Sequence, residues 1–224
     1  MIAEAVSGCG GQVFFPGGYL SAAAAHIRAA GGLMIIDEVQ TGFGRAGDRF
    51  WMHAGQGFVP DIVTLGKPIG NGHPMAAVIT TPDIARAFAS GMEFFSSFGG
   101  NPVSAAVGMA VLDVIESEGL QDKARVTGAH LLAGLQGLAR NHALIGDVRG
   151  QGLFLGVELV RDRVTQDPAT AEAGRIANAM REAGVLISTD GPHDNVLKIK
   201  PPLAFGVVEA DLLVGALEGA LREG

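Results

Sequence analysis

The sequence predicts an α/β protein, with a mainly parallel sheet in its first half and a smaller α+β unit in its second. Short apolar runs at 33–37, 62–65 and 75–80 alternate with helix-like segments, as in a doubly wound sheet. After Gly119-Leu120 the texture changes to a long amphipathic segment, adjacent strand-like runs and two further helices. The 224 residues are 48% hydrophobic and 17% charged, which is enough apolar material for one large or two small cores.

Residues 19–30 are alanine-rich and stop at Gly31-Gly32, a favourable helix terminus, so 33–37 reads as a strand buried on both faces. A glycine-rich loop follows. Thr81 and Pro82 supply an N-cap and a first-turn proline for a helix reaching residue 89, and 103–116 is a further helix. In the second half, 121–140 is a long amphipathic helix, and 145–148 and 153–160 read as a hairpin or meander joined by Arg149-Gly150-Gln151-Gly152. A helix at 170–183, strands at 185–187 and 196–199, and a closing helix at 208–221 complete the chain. Two domains are expected, 1–119 and 120–224.

Composition narrows the function. The net charge is −7 and the 16 Lys and Arg are spread along the chain, so there is no basic stripe for nucleic acid and a small ligand is expected. Cys9 is the sole cysteine, which excludes an internal disulfide and fits a reducing compartment, taken as the cytoplasm. No apolar run reaches the roughly 18 residues of a membrane span. His26, His53, His130, His142 and His193 lack ligand spacing, so no catalytic metal is expected.

The stretch Leu33-Met-Ile-Ile-Asp-Glu-Val-Gln40 ends an apolar strand in acids. Two chemistries use that arrangement: the metal-holding strand of a phosphate-cleaving nucleotide enzyme, and an aspartate paired with the ring nitrogen of a pyridoxal cofactor. The first works with a GxxxxGK[ST] loop, and the first lysine here, Lys67, is followed by Pro68, which has no hydroxyl for Mg²⁺. Lys67 follows a strand-like run and is flanked by glycine and proline. A lysine that attacks an aldehyde carbon needs an apolar, desolvated setting, which this segment is expected to supply. If both strands share one parallel sheet, Asp37 and Lys67 leave it at the same edge, where open α/β sheets hold ligands. An amine and an anion are the two groups a pyridoxal ring needs at opposite ends.

IIDEVQTGFGR, DIVTLGKPIGNGHP, SSFGGNPVSAA, DVRGQGLFLGVEL and LKIKPPL, in that order and spacing, resemble the class III aminotransferases, a pyridoxal-phosphate-dependent family. The resemblance implies a partial large domain of PLP-dependent transferase fold type I followed by the C-terminal small domain. It also implies site roles. Asp37 pairs with the pyridine nitrogen, Gln40 lies near the ring hydroxyl, and Val39 packs on the ring face. Lys67 forms the Schiff base and shuttles the Cα proton. Ser97 reaches the cofactor phosphate of a neighbouring subunit, which implies a homodimer. Arg149 and His73 also fall in matching segments and are read as structural.

Two positions depart from the family pattern. Members that bind an α-carboxylate place an arginine before the final PPL, where this chain has Lys198, and a glutamate near the start, where it has Cys9. The joint change resembles the branch of ethanolamine-phosphate phospho-lyase and its alanine-glyoxylate-aminotransferase-like relatives. That branch implies an amino-phosphate substrate, with Lys198 as an anion contact. Transamination between an amine and an oxo-acid, phosphate elimination, and a catalytically silent remnant are therefore all open. The family's phosphate-binding turn and ring-stacking aromatic fall before the matched region, so the chain is expected to be a fragment.

Overall fold

The computed structural model describes residues 1–222. Two compact units are present. The first comprises residues 1–5, 15–44 and 49–119, and the second comprises 6–14, 45–48 and the chain from Leu120 onward.

The first unit is built on strands β1 (Ile2–Glu4), β2 (Ile35–Asp37), β3 (Ile62–Leu65) and β4 (Ala77–Thr80), in that order. The pairs β1–β2 and β2–β3 are parallel, and β4 closes the edge antiparallel to β3. Helix α1 (Tyr19–Ala29) lies between β1 and β2 in sequence and packs Leu20 and Ala24 with Ala5, Met34 and Ile36. It stops as the glycines require. Gly31 adopts φ 78°, and the N–H groups of Gly31 and Gly32 return to the carbonyls of Arg28 and Ile27. The expectation of a strand buried on both faces is corrected: β2 starts at Ile35, Met34 and Ile36 are fully buried, Ile35 is half-buried and Leu33 is exposed. Alternation across the pleat sends every second side chain to the less covered face. Strand β1 carries no periodic signal in three residues and was not expected.

Asp61 ties these pieces together. Its carboxylate accepts the Met34 N–H at 2.7 Å and two guanidinium N–H groups of Arg28, at 3.0 and 3.2 Å. Burial pushes the carboxyl up, but the Arg28 hydrogen bond and charge and the Met34 N–H outweigh it and hold Asp61 below the usual carboxylate value. Helix α2 (Pro82–Phe88) is capped by Thr81, whose hydroxyl accepts the Ile84 N–H, and α3 (Pro102–Ser117) by Asn101, whose carbonyl accepts that of Ser104.

The second unit contains α4 (Leu120–Asn141), β5 (Ile145–Gln151), β6 (Phe154–Asp162), β7 (Asp167–Pro168), α5 (Thr170–Glu182), β8 (Ser188–Asp190), β9 (Val196–Ile199) and α6 (Val207–Arg222). Its antiparallel sheet runs β5-β6-β9-β8, with β7 paired to β6. The helices cover it through Leu131, Leu135, Ile176, Met180 and Leu217, packed with Leu155, Val157, Leu159, Leu197 and Ile199. The strand expected at 185–187 forms three residues later. Val185 and Ile187 pack partly buried on the core, while ladder pairing begins at Ser188 opposite Lys198. Their apolarity serves packing, and pairing is set by β9. The connection expected at 149–152 is corrected: Arg149, Gly150 and Gln151 pair within β5 against Gly156, Leu155 and Phe154, and the turn is reduced to Gly152 and Leu153. Gly152 has φ 56°, and a Cβ there would fall 2.4 Å from the backbone of Ala46. Beside it, Arg45 donates to the carbonyls of Leu153 and Pro201, and burial lowers its pKa.

Candidate active site

Glu4, Asp37 and Thr64 occupy one register row across β1, β2 and β3, so their side chains share a face of the sheet. Asp37 is the last residue of β2, and its Oδ1 accepts the Val39 N–H at 2.8 Å. That local turn fixes the carboxylate at the strand end. Gln40 is turned back along the row, its Nε2 donating to Glu4 Oε1 at 3.4 Å. The Thr64 hydroxyl is buried and has no hydrogen-bond partner, an unusual state for a buried polar atom.

Lys67 lies three positions beyond Thr64, just past the end of β3. It opens a 3₁₀ turn, Lys67–Ile69, with φ 40°, in the left-handed region that non-glycine residues rarely occupy. Such conformations cluster at sites where a side chain must be aimed. The turn after β2 meets the turn after β3, since a Cβ on Gly66 would sit 3.4 Å from Val39 Cγ2. The desolvated pocket expected around Lys67 is corrected: Gly66 and Ile69 are buried but Lys67 is exposed. The apolar residues of this segment face the unit's interior, leaving the lysine on the outer side of the turn.

The remaining expected positions are distributed elsewhere. Ser97 is exposed on the loop between α2 and α3. His73, in the turn after Lys67, places Nε2 2.7 Å from Ser104 Oγ at the start of α3, as its structural reading requires. In the second unit, Lys198 is not a free cation. Its Nζ is 2.8 Å from Asp190 Oδ1, while Lys200 is 3.7 Å from Asp190 Oδ2 and 4.5 Å above the Phe154 ring. One carboxylate is shared by two ammonium groups, so the cluster keeps one net positive charge. Gln12 donates to the same Asp190 at 2.8 Å. Arg149 spends its guanidinium on the carbonyls of Gly11 and Gln12 and on Asp147 and Glu158, which agrees with a structural role.

Glu38, Thr41 and His53 escaped sequence reading. Glu38 is fully buried and bonded to both of the others. An acid beside Asp37 reads locally as a solvated strand end, and its partner His53 is fifteen positions away.

The donor set suits a pyridoxal ring: a carboxylate at one parallel strand end, a primary amine past the next, and an unpaired hydroxyl in the same row. Together with the mixed sheet they define part of a PLP-dependent transferase of fold type I. The "Aminotransferase class-III" family profile matches residues 1–221. The chain belongs to the class III aminotransferases.

It is 51% identical over 212 residues to an "Alanine--glyoxylate aminotransferase 2-like" protein of Drosophila melanogaster, covering 94% of this chain and 43% of that one. It is 48% identical over 206 residues to "Ethanolamine-phosphate phospho-lyase homolog 1" of Caenorhabditis elegans, covering 91% and 44%. A solved phospholyase from Arthrobacter, in complex with phosphoethanolamine, superposes with a TM-score of 0.96 at 43% identity, over all of this chain and 53% of that one. The chain thus spans about half the length of the proteins it matches. Among the described residues no helix is long and apolar enough to cross a membrane.

Proposed function

We propose that this chain carries the covalent anchor and ring partner of a pyridoxal-5'-phosphate enzyme that transfers an amino group between an amine or amino acid and an oxo-acid. The observation that supports this most directly is the parallel β2–β3 pair, which sends Asp37 and Lys67 off one sheet edge with Val39 against Gly66. When bound, the cofactor supplies an electron sink that makes the substrate Cα proton acidic. Lys67 Nζ is the anchoring amine and the base that takes and returns that proton. Asp37 keeps a proton on the ring nitrogen, its Oδ2 being left open by the Val39 bond to Oδ1. Gln40 would hold the cofactor near its ring hydroxyl, and Val39 would pack on the ring.

In this reading residues 1–119 belong to the cofactor-binding large domain and 120–224 to the small domain. The protein acts in the cytoplasm as a homodimer in which Ser97 reaches the partner's cofactor phosphate. The exposed apolar loop bearing Ser97 supports such an interface.

Phosphate elimination is the second reading. It is favoured by Lys198 and Cys9 at the two positions that depart from the family pattern, and by the similarity to a phospholyase holding phosphoethanolamine. Lys198, paired to Asp190, then contacts the substrate anion through the charge it shares with Lys200.

The deciding experiment reduces the protein with borohydride in the presence of pyridoxal phosphate and maps the adduct by mass. Label at Lys67, lost in Lys67→Ala, is expected; soluble wild-type protein without label would instead be a silent remnant. Release of inorganic phosphate from phosphoethanolamine, set against amino transfer to an oxo-acid, separates the two reactions.

A further inference from the structure

Glu38 stands between Asp37 and Val39, yet neither the cofactor chemistry nor the family resemblance gives it a task. Its side chain is 0% exposed. A buried carboxylate is costly unless donors meet it, and here three do. Thr41 Oγ1 lies 2.6 Å from Oε2, while the His53 N–H and Nδ1 lie 2.8 and 2.7 Å from Oε1.

The backbone of Glu38 is equally committed. Its N–H donates to Thr64 O on β3, and its carbonyl accepts the N–H groups of Thr41 and Gly42. Trp51, the only tryptophan, closes the far side, since a Cβ on Gly42 would fall 2.8 Å from its ring. The 37–42 turn is thereby gripped from β3, from within, and from the 3₁₀ turn Met52–Gln56 that carries His53.

We propose that Glu38 is a positioning residue. By holding Thr41 and His53 it fixes the turn that presents Asp37 and Gln40 to a pyridine cofactor, without touching the cofactor. This rests on the cofactor reading given above. The competing account is a buried pair that merely fills space, for which an apolar residue of similar size would serve as well or better.

The test uses the 224-residue chain as wild type, Glu38→Gln, Glu38→Met and Lys67→Ala. Glutamine keeps an acceptor for His53 and a polar partner for Thr41, whereas methionine keeps only the volume. By hydrogen exchange without cofactor, peptides covering 37–44 and 51–58 should exchange about tenfold faster in Glu38→Met and within about threefold of wild type in Glu38→Gln, with 19–29 and 62–65 unchanged. In borohydride labelling, the pyridoxal phosphate concentration that half-labels Lys67 should rise about tenfold in Glu38→Met and recover in Glu38→Gln. Thr41→Val, which removes one grip, should show the same pattern at smaller size and stands in if Glu38→Met does not fold. Unchanged local exchange, loosening spread over the whole first unit, or local loosening with unaltered labelling would each overturn the proposal. Wild-type protein that never labels Lys67 rejects the cofactor reading itself, and with it the purpose assigned to this turn.

Discussion

The two units hold themselves together by different means. In the second, antiparallel strands of up to nine residues are covered by three helices, and leucines from α4 and α6 meet those of β6 and β9 in a continuous apolar core. In the first, every strand is three or four residues long. Its small cluster around Leu20, Met34 and Ile36 is supplemented by polar clamps, Arg28–Asp61–Met34 and Thr41–Glu38–His53. Phe88, Met92, Phe94, Phe95 and Phe98 lie in the open, from 68% to 86% exposed. The contrast is one of core size: the second unit buries a large continuous apolar cluster, while the first has a small one and relies more on polar contacts.

That comparison can be broken where it makes its largest claim. Leu135 is fully buried in the second unit, and Leu135→Ala should cost about 2–5 kcal/mol, read as a fall in the urea midpoint at constant slope. A cost below about 1 kcal/mol would mean that this core is not the main source of stability.

Asp61→Asn sharpens the other side. Losing a clamp of the first unit should cost about 1 kcal/mol at neutral pH. Because the folded carboxyl is held below its usual value, its contribution is complete above the ordinary carboxylate range and is lost as pH falls through the folded value. The gap between wild type and variant should therefore close in acid. A gap constant from neutral pH to about pH 2 would remove the electrostatic account.

The smallest effect belongs to the exposed loop. Phe95→Ser should change the unfolding free energy by no more than about 0.5 kcal/mol, yet lower self-association measured by light scattering. A destabilisation near that of Leu135→Ala would show that the loop is part of the fold.

Much of this molecule is local and therefore legible. Gly31-Gly32 ends α1 and Thr81-Pro82 starts α2, because caps are satisfied within a few positions, whereas Arg149, Gly150 and Gln151 read as a turn but pair in β5 once β6 lies opposite them. The strand ends at Asp37 and just before Lys67 are legible in the same way as the caps, from the apolar runs that precede them. Other features depend on distant partners. β8 takes its limits from β9, Glu38 is buried and finds its hydrogen-bond partner His53 fifteen positions away, and segments 6–14 and 45–48 pack with the second unit rather than their sequence neighbours.

The sequence by itself determined the fold class, the helices, the family and the residues worth testing, since side-chain period and cap chemistry are written in neighbouring positions. Tertiary structure alone decided that β4 pairs antiparallel to β3, that Lys67 is exposed, that Lys198 shares Asp190 with Lys200, and that Glu38 meets Thr41 and His53. The reason is physical: burial and hydrogen-bond satisfaction belong to groups brought together across long stretches of chain, and no local pattern records who the partner is.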